Sequence, residues 1–351
     1  MEMKYIGAII FAYFVVLMLV PQVITLANRI GAVDIPCERK VHATPVPRIG
    51  GLAIYFGYIV SVMLFVPSST MKIGIILAST LIVLVGIFDD LYNISPRKKL
   101  LGQFAAAFLL TMFGIQIGFI SNPMGGTMDL GYLAIPFTIF WIVGVTNAVN
   151  LIDGLDGLAA GTSAIAATIL AIVAYLQGIE NIAFLAMILA ASSAAFLKYN
   201  FNPARIFMGD TGSMFLGLNL AIISVMSVTK SIAVLSIFVP IIILGVPLFD
   251  TLFAIIRRIQ NNQPIFKADK EHLHHCLLNK GISHKNTVLL IYCINIILGG
   301  SAILLSNLTQ NQGILLVTVL SLAIYTGAQN LGVLKEIRLP GILPKLKKVK
   351  K

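Results

Sequence analysis

Eleven apolar runs, each near the length needed to cross a bilayer, leave this chain little choice of architecture. They fall near 5–27, 49–66, 71–88, 101–119, 131–149, 157–176, 181–198, 212–228, 231–256, 287–306 and 312–334. A spanning helix takes about 17–25 apolar residues, and in hydrocarbon its backbone N–H and C=O groups must be satisfied internally. The expected fold is therefore all-α, a polytopic membrane helical bundle of about 11 transmembrane helices (10–11), the shorter runs tilted or re-entrant. One membrane domain would cover 1–334, with a basic tail at 335–351. Only 11% of the residues are charged, against about 25% in soluble domains, which excludes a soluble fold. Pro240 and Pro247 interrupt the ninth run, so a broken or sharply kinked ninth helix is expected.

Charge sets the orientation. Segments 29–48, 89–100, 150–156, 198–211, 257–286 and 335–351 hold 22 Lys and Arg, and the opposite set holds only Lys4, Lys72 and Lys230. The positive-inside rule places the first set in the cytoplasm, with the N-terminus outside. The net charge of +11 thus reports topology in a plasma (inner) membrane, and no nucleic-acid partner is expected. The tail reads equally well as a segment lying on anionic lipid and as a plain topology signal. Cys37, Cys276 and Cys293 show no paired spacing, so no disulfide framework is expected. Met-Glu-Met-Lys leads into the first run without a small-residue cleavage site, so that span reads as retained. Residues 120–131, rich in turn formers, read as a hairpin on the outer side.

The chemistry-bearing residues gather on the cytoplasmic side. Asn147–Gly157 (N-A-V-N-L-I-D-G-L-D-G) carries Asn147, Asn150, Asp153 and Asp156 with no Lys or Arg among them. Uncompensated carboxylates at a bilayer edge are costly and mark function. Steps of three drift round an ideal helix, so the four share one direction only if the chain bends, which Gly154 and Gly157 permit. A helix ending near Asn150, a polar corner and a new helix near Gly157 are expected, suited to a divalent cation or a phosphate held through one. Asp89-Asp90 closes the third run. Neighbours on a helix diverge by about 100°, so one would face metal or substrate while the other fixes a lysine or a helix end. Arg97, Lys98 and Lys99 follow closely.

Gly209-Asp210-Thr211-Gly212 precedes the eighth run. Asp210 there is either a helix N-cap, with Thr211 as a second candidate, or a ligand-facing acid. With two other acidic corners on the same side, the ligand reading is preferred. Val33–Gly51 reads as a proline-braced loop presenting Arg39, Lys40, His42 and Arg48. Asp250, inside the ninth run, is equally a candidate for a lipid-phosphate site and for a helix-pairing contact. His272, His274 and His275 occupy the longest cytoplasmic loop. His272 and His275 would share a helical face and, with nearby cations, suit a phosphate or sugar. Zinc is disfavoured, because Cys276 is too near to complete a finger spacing.

Taken in order, R-K-x-H…P-R-x-G-G, F-D-D, S-P-R-K-K-L-L-G-Q, N-x-x-N-L-x-D-G-x-D-G-L-A, N-x-x-P-A-x-x-F-M-G-D-T-G-S and H-x-H-H resemble the polyprenyl-phosphate N-acetylhexosamine-1-phosphate transferases. The series spans residues 29–285. A-D-K-E-H-L-H-H is similar to the branch using UDP-N-acetylglucosamine, which initiates O-antigen, enterobacterial common antigen (lipopolysaccharide-type) or teichoic acid linkage units. The muramoyl-pentapeptide branch usually carries three consecutive histidines, a run that Leu273 interrupts here. Lys267-Ala268 stands where the N-acetylglucosamine branch more often has Ser-Pro.

The resemblance implies a Mg²⁺ cofactor, with Mn²⁺ as a substitute, UDP-sugar and polyprenyl phosphate as substrates, and a homodimer. It makes Asp89 and Asp90 the catalytic pair and Asp210 the first metal ligand, with Asp153 beside it. Phe207 would stack on uracil, and Asn200 and Asp156 would line the nucleotide pocket. Asn147 and Asn150 would lie near metal and pyrophosphate. Lys40 and Lys99 would meet phosphate, and His272, His274 and His275 would recognise the sugar; Arg48 is placed to help balance the lipid phosphate, and His42, presented by the same loop, is a candidate substrate-binding residue. Direct attack by the lipid phosphate, Asp90 as base, and Asp89 as covalent nucleophile all remain open. The rival class, a transporter for cations or lipid-linked sugars, fits intramembrane acids and a broken helix. It fits less well with polar residues confined to one side.

Overall fold

The computed structural model describes residues 3–35, 45–121, 126–228, 237–264 and 271–334. Among them the chain is helical, apart from two short antiparallel hairpin pairings. The helices are α1 (Met3–Ile30), α2 (Gly51–Phe65), α3 (Thr70–Tyr92), α4 (Pro96–Met112), α5 (Ala134–Leu151), α6 (Leu158–Leu176), α7 (Glu180–Asn200) and α8 (Gly209–Val228). They continue with α9 (Phe238–Ile243), α10 (Gly245–Gln260), α11 (Leu273–Asn279), α12 (His284–Leu305) and α13 (Gln310–Leu331). Eight of these, namely α1, α3, α5, α6, α7, α8, α12 and α13, are long and apolar enough to cross a membrane. The other three runs become α2, α4 and the pair α9–α10, all shorter. The molecule is a polytopic, all-α membrane protein.

Helix α8 is the axis of the bundle. It is buried along almost its whole length, whereas α13 is buried hardly at all, and α2, α3, α5, α6 and α7 pack against it. Small and polar residues let these helices approach. Asn219 of α8 donates to Ser79 of α3 at 3.1 Å, and Trp141 of α5 donates to Ser224 at 2.8 Å, which are the interhelical bonds expected where water is absent.

The ninth run breaks at Leu244, between its prolines. Pro247 has no N–H to offer Ile243, so the ladder is interrupted there. The hairpin expected at 120–131 forms as β3 (Phe119–Ser121) against β4 (Thr127–Asp129), with 122–125 outside the described residues. A second pairing joins β1 (Val33–Asp34) to β2 (Val46–Pro47). The basic tail also lies outside the described residues.

Candidate active site

The α3–α4 hairpin makes the first wall. Asn93 ends α3 in the left-handed region at φ 48°, and Ser95-Pro96 opens α4 with proline at N1, a position it favours. This tight return lays the first turn of α4 beside the last turn of α3. Lys99 Nζ donates to Asp89 Oδ2 at 3.2 Å and to Asn150 Oδ1 at 3.0 Å, and it pairs with Asp210. Asn150 Nδ2 in turn donates to Asp210 Oδ1 at 2.8 Å and to Ser213 Oγ at 2.7 Å. Four helix ends, from α3, α4, α5 and α8, therefore meet on one ammonium.

Asp90 turns the other way. Its Oδ1 accepts from Arg48 at 2.8 Å and from the Asp210 N–H at 3.0 Å. Its Oδ2 accepts from the Thr211 N–H at 3.0 Å and the Thr211 hydroxyl at 2.6 Å. A buried anion thus caps the N-terminus of α8 from another helix, where free N–H groups and the helix dipole favour negative charge. This corrects the local reading of Asp210 or Thr211 as N-cap. The two neighbours diverge, Asp89 meeting the lysine and Asp90 fixing a helix end.

Glycines make that approach possible. A Cβ on Gly86 would lie 2.5 Å from Thr211 Cα, and one on Gly51 would collide with the Gly212 backbone. Gly209 enters α8 at φ 71°, a conformation that glycine adopts without steric cost. The loop before α8 is clamped to β2, with Phe207 N–H donating to Pro47 O at 2.8 Å and Gly50 N–H to Phe207 O at 3.0 Å. The partly exposed Phe207 is held beside Arg48 by these bonds.

The corner between α5 and α6 occupies 152–157. Asn147 and Asn150 lie on the partly open stripe of α5, but Asn147 pairs with Gln103 Oε1 at 2.6 Å instead of joining Asp210. Asp153 is partly exposed, and its carboxylate has no hydrogen-bond or ion-pair partner among the described residues. Removal from water, and then the charges of Asp210, Asp90 and Asp156, push its carboxyl up to about 7. Asp156 points away, with Oδ2 accepting from Asn202 Nδ2 at 3.0 Å and Ala204 N–H at 3.1 Å. Asn200 is buried, receives the Gly157 N–H at 3.0 Å and donates to Ile206 O at 2.9 Å. Both residues thus tie the corner to the loop before α8.

The histidine segment covers the same corner. His272 precedes α11 in extended backbone, so it does not share a helical face with His275. Its Nδ1 meets Asp250 Oδ2 at 2.9 Å, and the Leu273 N–H donates to Asp250 Oδ1 at 2.8 Å. Of the two readings of Asp250, the structure selects the helix-pairing contact. His272 stacks on His274 at 6.0 Å, and His274 lies 4.2 Å from His275 between ring centres. A Cβ on Gly154 would meet His274 Nε2 at 2.5 Å, so the ring lies against the acidic corner. Burial, and then His275, holds the His274 imidazole down to about 4, so it is neutral near pH 7.

Gly154→Val is therefore expected to displace His274, and Gly157→Val to strain a backbone held at φ 80°. Each should cost activity about a hundredfold, the effect of misplacing a reacting centre by an ångström. A turnover measurement within threefold of wild type for Gly154→Val would remove that contact from the account.

Lys40 and His42 lie outside the described residues. Of the remaining expected residues, Asp89, Lys99, Asn150 and Asp210 converge directly. Asp153 is held near them, and Arg48 with Asp90 forms the support behind. Sequence reasoning assigned no role to Ser213, Gln103, Asn202 or His284, whose Nε2 accepts the Asp156 N–H at 3.0 Å. Gln103 was findable, because it follows Lys99 by four residues on the same helix face.

Five carboxylates, Asp89, Asp90, Asp153, Asp156 and Asp210, surround two cations, Arg48 and Lys99. The excess negative charge and the hard oxygen donors of Asp210, Asn150 and Asp153 fit Mg²⁺, which binds through one or two carboxylates and substrate phosphates. Among the described residues, no three His, Cys, Asp or Glu side chains form a cage for a metal by themselves.

The model of Glycosyl transferase family 4 matches residues 72–228, the stretch that carries all five carboxylates. A Bacillus subtilis protein named probable undecaprenyl-phosphate N-acetylglucosaminyl 1-phosphate transferase is 44% identical over 335 residues, covering 95% of this chain and 94% of its own. Decaprenyl-phosphate N-acetylglucosaminephosphotransferase of Mycobacterium leprae is 37% identical, covering 79% of this chain and 78% of its own. An Escherichia coli K12 protein named undecaprenyl-phosphate alpha-N-acetylglucosaminyl 1-phosphate transferase is 24% identical, covering 76% and 74%. With both chains of the Bacillus pair matched almost end to end, the shared motifs are shared descent, and the chain belongs to glycosyl transferase family 4, the polyprenyl-phosphate N-acetylhexosamine-1-phosphate transferases.

Proposed function

We propose that this protein transfers N-acetylglucosamine 1-phosphate from UDP-N-acetylglucosamine to undecaprenyl phosphate, giving undecaprenyl-diphospho-N-acetylglucosamine and UMP. The reaction would run on the cytoplasmic face of the cell membrane, as the first membrane step of a cell-envelope glycopolymer. The observation that carries the reading is the meeting of Asp89, Lys99, Asn150 and Asp210 at one end of the bundle, in a chain whose relatives are named for this transfer.

Phosphoryl transfer needs charge neutralised and atoms aligned more than it needs covalent help. Mg²⁺, when bound by Asp210 with Asp153 and Asn150, supplies Lewis-acid polarisation of the diphosphate. Lys99, shared among Asp89, Asn150 and Asp210, would exchange a carboxylate for a phosphate oxygen as substrate binds, while Arg48 holds Asp90. Asp90 has both oxygens engaged by four donors, which disfavours it as a general base. None is required, since a phosphate monoester has a second pKa of about 6 and is mostly dianionic at pH 7. Direct in-line attack is the simplest route these residues support. His274, neutral and seated on the corner, suits hydrogen bonding to a sugar hydroxyl or amide.

UMP release from UDP-N-acetylglucosamine by purified protein in detergent, dependent on polyprenyl phosphate and Mg²⁺, is the expected result. Lipid-independent UMP release, or turnover only with UDP-N-acetylmuramoyl-pentapeptide, would overturn the assignment. Trapping of phosphorylated Asp89 without acceptor would replace the one-step route by a two-step one.

A further inference from the structure

The broken ninth span does more than fill space, because its lower half carries a buried acid that touches the histidine segment. The inward stripe of α10 runs through Val246, Asp250, Ala254 and Arg257, spaced as one helical face requires. Asp250 is only 4% exposed. It is one of the lining residues of an apolar, half-open cavity of about 310 Å³ between α10, α12 and α13, together with Phe249, Leu273 and Leu298. A carboxylate in such surroundings is tolerated only with strong partners. Its two partners among the described residues both belong to the histidine segment: His272 Nδ1 at 2.9 Å and the Leu273 N–H at 2.8 Å. Seven residues on, Arg257 donates to Val333 O at 2.6 Å and stands 3.6 Å from Glu271.

We infer that Asp250 is a positioning residue for the sugar nucleotide: it orients the His272 ring and caps α11 so that His274 is seated over Gly154. The inference rests on the transfer reaction proposed above. The two hydrogen bonds act on different things. The bond to Leu273 N–H satisfies the first free donor of α11 and fixes where that helix starts. The bond to Nδ1 fixes the tautomer of His272, leaving Nε2 as its acceptor, as carboxylate–imidazole pairs do elsewhere. His272 stacks flat on His274, their planes 3° apart, so the orientation of one ring sets that of the next. His274 ends against the corner that carries Asp153 and Asp156. The chain of contacts thus runs from the break in the ninth span to the polar crevice without passing through Asp210, Lys99 or Asp89.

This placement predicts an effect on the donor substrate and not on the lipid. Asp250→Ala removes both bonds, and the KM for UDP-N-acetylglucosamine should rise about tenfold, as for the loss of a charge-assisted bond. The KM for polyprenyl phosphate should stay within twofold of wild type. Asp250→Asn keeps an acceptor for Leu273 but presents an amide N–H to His272. It should convert His272 to the Nε2–H tautomer in ¹⁵N histidine spectra and raise the donor KM by about threefold. Should Asp250→Ala fail to fold in detergent, Asp250→Asn carries the test alone. Wild-type donor KM in a folded variant, an equal rise in both KM values, or an unchanged His272 tautomer in Asp250→Asn would overturn the inference. Failure of the underlying reaction would show separately, as absence of UDP-N-acetylglucosamine turnover by the wild-type protein.

Discussion

Asp210→Asn is expected to lower transfer by about a thousandfold or more, equivalent to roughly 4 kcal/mol of transition-state stabilisation, with little change in folding. The substitution keeps the volume and one acceptor oxygen, so Asn150 retains a partner on α8. Asp90 also still caps that helix, because its bonds go to the backbone of residues 210 and 211 and to the Thr211 hydroxyl. What disappears is the negative charge that faces Lys99 and that, with Asp153, would hold the proposed divalent cation. Lys99 remains held by Asp89 and Asn150, so the crevice should not collapse. UMP release across a Mg²⁺ titration, beside gel filtration and a melting curve in detergent, separates chemistry from folding. Activity within tenfold of wild type at saturating Mg²⁺ would remove Asp210 as metal ligand.

Much of this molecule was readable in one dimension, because membrane spans and their breaks are local properties. The eleven runs each have a helical counterpart, and Pro240 and Pro247 foretold the break that falls at Leu244. Asp89-Asp90 was read as a pair with divided duties from nothing more than the 100° between helix neighbours. What was not legible shares a physical reason, since most of it concerns a group whose partner is distant in sequence. A local rule makes Asp210 or Thr211 the cap of α8. The cap is Asp90, 120 residues away, and only the fold can bring it there. The hydrogen bonds that tie Asn200 to Gly157 and Asp156 to Asn202 likewise join residues 43 and 46 apart. The glycines at 51, 86 and 212 read as loop or span residues, yet they mark where three backbones touch. Helical spacing misled the reading of His272 because α11 starts one residue later. The transporter reading loses its footing on the same evidence, since the charged side chains meet at one end of the helices and not at mid-span.

Asp90 supplies the second large effect, and comparison with Asp89 gives it a sharp form. Both belong to one motif, yet the structure assigns them different duties. Asp89 is partly exposed and is bonded to Lys99, which has two further partners. Asp89→Asn should therefore cost activity while leaving the melting temperature nearly unchanged. Asp90 has a fully buried side chain, bonded to Arg48 and to three donors at the start of α8. Breaking a buried charge pair by removing one partner typically costs about 3–5 kcal/mol, although Arg48 is partly exposed and can recover some hydration. Asp90→Asn should thus lose stability by about 2–3 kcal/mol together with activity, because the mispositioned α8 carries Asp210 with it. A catalytic base would behave differently: Asp90→Asn would then melt like wild type and lose the acidic limb of its pH–rate profile. Thermal unfolding of the two variants side by side, in the same detergent, decides between them. Equal melting temperatures would return Asp90 to the chemistry and leave the start of α8 without its cap.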